Sequence, residues 1–263
     1  MAIAVAMDTE WSDFVRRSLT DLHTHILPGI DDGAKDLEEA CAMLRKGKEN
    51  GVDRVMLTPH FYPLREQLED FLCRRQQSWD RLMQVWDDKT MPQIQLGAEV
   101  RYSVELLDMD LSQLTLGGSE YLLLELSDQR LPAHLHEVAD RLYSRGVTLV
   151  LAHVERCAYF REEPDRLLDL AALGVLMQVS AGALQNKKDQ GFAKACLKNG
   201  LAQIIASDAH DLADRAPSLG VDTPKICEKL LQQGEQIAQI IWNHGTMPGF
   251  AAEPIRKTIF GYK

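Results

Sequence analysis

Seven short apolar runs punctuate the chain: Leu22–Ile26, Val52–Thr58, Gln93–Val100, Tyr121–Leu126, Thr148–Val154, Val175–Val179 and Ala202–Ser207. Each reads as a strand, and the segments between them repeat their apolar residues at helical spacing. The first of these segments is the best marked. Asp36 is placed to cap it, and Glu39 three residues on completes a capping box. Leu37, Ala40, Cys41 and Leu44 share one face, and Gly51 suits the stop. Pro63–Asp88, Ala133–Arg145, Pro164–Leu173, Lys187–Lys198 and Pro224–Trp242 read as further helices, with Gly146, Gly174 and Gly200 just past three of them. Strands alternating with helices at this spacing predict βα units and a parallel arrangement. No low-complexity linker interrupts the pattern, so residues 20–263 read as one domain. Residues 1–19 form an N-terminal extension in which "TEWSDFVRRSL" reads as a short helix.

Composition narrows the function classes. The 263 residues are 45% hydrophobic and 26% charged, with a formal net charge of −10. Such a chain can bury a sizeable core, and its acidity argues against a nucleic-acid track or an anionic membrane surface, both of which need a basic face. The five cysteines (Cys41, Cys73, Cys157, Cys196, Cys227) are widely spaced and contain no C-x-x-C. That pattern predicts reduced thiols in a cytoplasmic protein. The opening "MAIAVAM" lacks the basic start of a signal peptide, and no apolar run reaches membrane-spanning length.

Candidate chemistry collects at the carboxyl ends of the expected strands. The first carries His23 and His25, the second ends "TPH" at His60, and the third ends "GAE" at Glu99. The fifth ends "LAHVER" with His153, and the seventh ends "ASDAH" with Asp208 and His210. In a βα barrel this is the face where functional groups gather. Residues two apart on a strand face the same way, so His23 with His25, and Asp208 with His210, are expected to share one mouth. Imidazoles with carboxylates are ligands for Zn²⁺, Mn²⁺ or Fe. Asp21 has the parity to act as an acceptor orienting one imidazole.

A single histidine is more often a hydrogen-bonded structural residue than a ligand. "HLHE" illustrates this: His134 and His136 follow Pro132 at a helix start, where positions two apart diverge, and both are assigned to structure. His244, near the end of the last helix, suits the helix dipole. The other five histidines differ because they recur, with acids, at separate strand ends. Other catalytic patterns are absent: there is no C-x₅-R loop, G-x-S-x-G elbow, G-x-x-x-x-G-K-[ST] loop or H-E-x-x-H.

Taken in order, "DLHTHILPGIDDGA", "TPHFYP", "GAEVRY", "YLLLELS", "LVLAHVER", "MQVSAGAL" and "IIASDAHDLADR" resemble the PHP (polymerase and histidinol phosphatase) superfamily. Within it they are most similar to the metal-dependent protein-tyrosine phosphatases of bacterial capsule and exopolysaccharide operons. The resemblance covers roughly Thr20 to Arg215, although Cys157 stands where the family usually shows an aromatic. It implies a distorted (β/α)7 barrel of PHP type, with its site at the C-terminal ends of the strands. It also implies three divalent metal ions, with manganese expected and iron or zinc as alternatives. By motif, the ligands would be His23, His25, Asp32 (the second acid of "IDDG"), His60, Glu99, His153, Asp208 and His210, with Glu99 bridging two ions. Arg156 and Arg215 would hold the substrate phosphate.

The expected reaction is attack of a metal-bridging hydroxide on phosphorus, with metals and guanidinium forks stabilising the equatorial oxygens. The expected partner is a phosphotyrosine protein, a bacterial tyrosine kinase; neither nucleic acid nor membrane insertion is expected, and a homo-oligomer is compatible with the reading. Tyr62, Arg65, Ser127 and Arg130 follow strand ends, where they either shape the substrate mouth or are solvated loop residues. A histidinol-phosphatase-like enzyme of small molecules and a non-catalytic metal-binding regulator on the same scaffold are the alternatives. A PHP-type exonuclease fits the acidic charge poorly. An amidohydrolase would place a lysine on the fourth strand, where this chain has Glu125.

Overall fold

The computed structural model describes residues 18–221, 225–258 and 261–262. The helix expected within "TEWSDFVRRSL" falls outside them except for Ser18 and Leu19, and Leu19 already opens the first strand. The strands are β1 (Leu19–Thr24), β2 (Val52–Leu57), β3 (His60–Phe61), β4 (Gln93–Leu96), β5 (Glu99–Arg101), β6 (Tyr121–Glu125), β7 (Thr148–Leu151), β8 (Leu176–Ser180) and β9 (Ile204–Ala206). The helices are α1 (Leu37–Glu49), α2 (Leu68–Met83), α3 (Leu135–Ser144), α4 (Ala158–Glu162), α5 (Asp165–Ala172), α6 (Gln190–Lys198) and α7 (Lys225–Trp242), and a short hairpin of β10 (Lys257–Thr258) and β11 (Gly261–Tyr262) follows. The hairpin and α4 were not foreseen from the sequence pattern.

All pairings among β1–β9 are parallel. They run in the orders β1-β2-β4 and β3-β5-β6-β7-β8-β9. The expected strand Gln93–Val100 is broken at Gly97–Ala98 into β4 and β5, and the expected strand Val52–Thr58 ends as β2 at Leu57, with β3 resuming beyond Thr58–Pro59. Backbone bonds carry the ladder across the breaks, with Gly97 N–H donating to Leu57 O at 2.9 Å and Glu99 N–H to Pro59 O at 3.1 Å. Beyond β9, Ala209 bridges back to Thr24 of β1, and His25 N–H donates to Ala209 O at 2.8 Å. The result is a mixed α/β fold whose parallel sheet curls until its last strand meets its first.

Local sequence explains the elements. Asp36 caps α1 by accepting from Glu39 N–H at 2.9 Å, whereas the Glu39 carboxylate turns to Lys35 N–H at 3.0 Å rather than to the cap residue. Helix α2 starts five residues later than its periodicity predicts. Arg65 and Glu66 N–H both fold back onto Tyr62 O, so Pro63 belongs to a turn and not to a first helical position. Apolar residues, aliphatic and aromatic, form the main core. In a second cluster, Leu22, Met56, Leu123, Val150, Leu176 and Ile204 pack with Ala238, Ile241 and Trp242 of α7. That helix therefore covers the amino ends of the strands and leaves the carboxyl ends open.

Candidate metal centre

At the carboxyl ends, residues far apart in sequence converge on Glu99, the first residue of β5, which is buried. Its Oε1 lies 2.9 Å from His153 Nε2. Its Oε2 lies 3.3 Å from His23 Nε2, 3.2 Å from His25 Nε2 and 3.0 Å from His60 Nδ1. Asp208 Oδ1 closes the other side, 3.3 Å from His23 Nε2 and 3.5 Å from His25 Nε2. Asp32 stands at the rim, 65% exposed, with Oδ1 3.3 Å from His60 Nε2 and 3.5 Å from His210 Nε2. All eight expected ligands thus meet in one cluster. Within it, His25, Asp32, His60 and His210 form one group able to hold an ion, and His23, His25 and Glu99 form another.

The backbone reaches this arrangement differently from the strand argument. His23 lies in β1, but His25 follows its end. His153 and Asp208 sit past their strands at φ 34° and φ 55°. A left-handed backbone at a residue other than glycine costs about 1–3 kcal/mol and tends to mark functional sites. Asp208 and His210 therefore reach the mouth through a left-handed turn, not through strand alternation. The loop after β1 is equally constrained. Ala34 N–H donates to His25 O at 2.9 Å, and a Cβ on Gly33 would lie 1.9 Å from that oxygen, so only glycine lets "IDDG" fold back beside His25.

Neighbouring residues fix the imidazoles. His153 N–H donates to Gln178 Oε1 at 2.8 Å, which identifies that atom as the amide oxygen, and His23 Nδ1 lies 3.2 Å from it. His23 Nδ1 must then be the donor, and Nε2 faces Glu99 and Asp208. Asp31 does the same for His25, accepting from Nδ1 at 2.8 Å while also accepting from His60 and Gly33 N–H at 3.0 Å each. Asp21 does not orient an imidazole as expected. Its Oδ1 accepts backbone N–H from Ser207 at 3.0 Å and His23 at 3.4 Å.

Charge here is tightly balanced. Burial alone would raise the Glu99 and Asp208 carboxyls, but the surrounding imidazoles hold both well below their usual range. Burial would likewise lower His25, yet the adjacent Asp208, Asp31 and Glu99 carboxylates hold it well above its usual value, and Glu99 and Asp208 raise His23. His210 goes the other way, pushed down to about 4 by burial and by His25. Burial also raises Asp21 to about 6; Asp31 is brought down to about 2 because its bonds to His25 and to the backbone outweigh burial.

Four buried atoms of the cluster lack any hydrogen-bond partner: His60 Nδ1, Glu99 Oε2, Asp208 Oδ1 and His210 Nε2. They lie 3.0–3.6 Å from other nitrogens or oxygens of the cluster without the geometry of a hydrogen bond. Buried polar atoms left unsatisfied are costly. Nitrogen and carboxylate lone pairs converging in this way fit divalent cations.

Both candidate arginines reach the same carboxylate. Arg156 Nη2 donates to Asp208 Oδ2 at 2.5 Å and to Ser180 Oγ at 3.3 Å, and Arg215 Nη2 donates to Asp208 Oδ2 at 2.8 Å. Each remains more than one-third exposed, so the guanidiniums border the opening. Tyr62 also borders it, its ring centroid 5.4 Å from that of His60. Ser127 instead serves as a structural acceptor, its carbonyl taking the Tyr159 hydroxyl at 2.8 Å. His134 and His136 lie apart on the exposed start of α3, and His244 sits in the turn just past α7 at φ 57°. Cys41, Cys73, Cys157 and Cys196 are free and outside the cluster; burial pushes the Cys157 thiol up to about 11.

Sequence reasoning missed Gln178 as an orienting residue and gave Asp31 no role beside Asp32. It also passed over Glu125, which joins His60 and Glu99 in a third metal-capable group while pairing with Arg101 at 2.9 Å. Gln178 carried a readable signal, being the one polar residue inside "LMQV" of a fully buried strand.

A curled parallel α/β sheet with buried imidazoles and carboxylates at its carboxyl ends defines a candidate metalloprotein of the βα class. The chain belongs to the capsular polysaccharide synthesis CpsB/CapC family, which matches residues 19–246. It is 27% identical over 256 residues to the tyrosine-protein phosphatase YwqE of Bacillus subtilis, covering 93% of this chain and all of that one. It is 29% identical over 215 residues to the tyrosine-protein phosphatase CpsB of Streptococcus pneumoniae, covering 76% and 86%. Among solved structures it matches one from a study of YwqE from Bacillus subtilis and CpsB from Streptococcus pneumoniae, described as unique metal-dependent tyrosine phosphatases. The TM-score is 0.80 at 25% identity, over 90% of this chain and all of that one. Among the described residues no helix is long and apolar enough to cross a membrane.

Proposed function

We propose that this protein is a metal-dependent protein-tyrosine phosphatase of capsule or exopolysaccharide synthesis, acting in the cytoplasm on a bacterial tyrosine kinase. The observation that carries the reading is the set of unpartnered buried atoms on His60, Glu99, Asp208 and His210, in a chain that resembles a structure described as a metal-dependent tyrosine phosphatase. Residues 20–263 act as a single catalytic domain, a distorted (β/α)7 barrel in which β2 with β3 and β4 with β5 each count as one strand. His23, His25, Asp32, His60, Glu99, His153, Asp208 and His210 hold three divalent ions, manganese first and iron or zinc as alternatives. When bound, such ions supply Lewis acidity, placing positive charge before the phosphate and making water reactive at neutral pH.

The chain's own residues supply the rest. Arg156 and Arg215 bind the non-bridging phosphate oxygens, for which a guanidinium fork is better matched than an ammonium. Their shared bond to Asp208 Oδ2 holds both forks in place before substrate arrives. Gln178 and Asp31 lock the His23 and His25 tautomers, keeping each Nε2 lone pair available. A tyrosine leaving group, with a pKa of about 10, departs with less protonation than an alkoxide requires. The test compares kcat/KM on a phosphotyrosine peptide, a phosphoserine peptide and histidinol phosphate. The phosphotyrosine peptide is expected to be the best substrate by at least tenfold; preference for histidinol phosphate would overturn the assignment in favour of a small-molecule enzyme.

A further inference from the structure

The rim of the cluster carries a charge with no role in the site described above. Tyr62 directly follows β3, and the turn Tyr62–Pro63–Leu64–Arg65 closes with Arg65 N–H donating to Tyr62 O at 2.9 Å. This turn brings the Arg65 guanidinium over the Tyr62 ring, 4.9 Å from its centroid, while that ring sits 5.4 Å from the ring of His60. A cation over an aromatic face is held in place without being neutralised.

Four other arginines near the opening are taken, while Arg130, exposed in the loop after β6, has no aromatic seat among the described residues. Arg156 and Arg215 bond Asp208, Arg101 pairs with Glu125, and Arg74 takes Glu66, the carboxylate next in sequence to Arg65. Arg65 is exposed and has no carboxylate within ion-pair distance among the described residues. Leu64, at the apex of the same turn, is 74% exposed. The turn is thus a stiffened rim, proline at its second position, that presents one fixed and unspent cation.

We infer that Arg65, seated on Tyr62, is a specificity determinant that binds an acidic side chain flanking the phosphotyrosine of a peptide substrate. This rests on the phosphatase reading above. The two contacts place the guanidinium about 10 Å or less from the His60 ring, a span comparable to about three residues of extended peptide. The guanidinium edge offers a carboxylate two parallel donors. A local cation matters more because the chain as a whole carries −10 and disfavours acidic peptides. At physiological salt, charge is screened beyond about 8 Å, so the distant acidic surface weighs less at Arg65 than its immediate neighbours do.

The test uses the full-length, metal-loaded protein and phosphotyrosine peptides that carry glutamate at the three positions before or after the phosphotyrosine, each paired with its glutamine counterpart. Wild type should favour one of the two acidic peptides over its partner by roughly fivefold in kcat/KM, mainly through KM, with the preference fading in 0.5 M salt. Arg65→Ala should bring that ratio to near one. Tyr62→Phe, which keeps the ring, should retain it, and Tyr62→Ala should lose it as Arg65→Ala does. Equal rates on the acidic and neutral peptides for both flanks, or a ratio that survives Arg65→Ala, would overturn the inference while leaving the phosphatase reading intact. Failure of wild type to hydrolyse any phosphotyrosine peptide would instead overturn the phosphatase reading itself.

Discussion

The two ends of the parallel strands treat buried carboxylates in opposite ways. At the amino ends, Glu235 of α7 accepts from Thr20 N–H at 2.6 Å and from the Thr20 hydroxyl at 2.9 Å, with Arg54 Nη2 at 3.4 Å. Arg54 also donates to the Thr20 hydroxyl, so every group in that knot has a partner. At the carboxyl ends, Glu99 Oε2 and Asp208 Oδ1 are more deeply buried than Glu235 and have no hydrogen-bond partner. The protein therefore completes one end with its own donors and leaves the other to be completed by cations. The first arrangement contributes stability; the second holds electrostatic cost at the place where a ligand relieves it.

That contrast is broken most severely at its centre. Glu99→Gln should remove bound metal and lower phosphotyrosine hydrolysis roughly 10³-fold or more, the scale on which loss of preorganised charge acts. Elemental analysis beside a rate assay checks it, and a variant that keeps full metal content and rate would dissolve the distinction between the two ends. Next in size, Arg215→Ala should cost about 10²-fold in kcat with metal content unchanged. Loss of metal in that variant would show that the Asp208 bond is its only role. Gln178→Ala frees the His23 and His153 geometry and should weaken metal affinity by about tenfold, measurable by competition with a chelator. The smallest effect on chemistry belongs to the closed end. Glu235→Ala should lower stability by about 1–3 kcal/mol in denaturant unfolding while metal content and kcat stay as in wild type.

The sequence made the cluster legible where chemistry and position coincided. His23, His60, Glu99 and His153 stand at the ends of apolar runs, so residue type and strand boundary pointed to one face. Asp208 and His210 were picked by identity, but the reason offered for their meeting, strand alternation, does not hold, because a left-handed residue cannot be read from an i, i+2 spacing. Asp21 had the right parity yet its oxygen is consumed by backbone N–H groups, and Gln178, 155 positions from His23, does the orienting instead. Such pairings depend on which strands become neighbours, a property of the closed sheet that no local window contains. The late start of α2 has the same character. Its periodicity extends through Pro63, but the turn onto Tyr62 O outcompetes a first helical turn there. The parallel βα order itself was legible, since it needs only alternating runs and periodic segments.

The most direct test of the central claim is hydrolysis of a phosphotyrosine peptide by protein stripped of metal with a chelator, verified by elemental analysis, and then titrated with Mn²⁺. The stripped protein should show no measurable turnover and recover to a plateau as Mn²⁺ fills the cluster, with no recovery in His25→Ala. Full turnover by verified metal-free protein would contradict it.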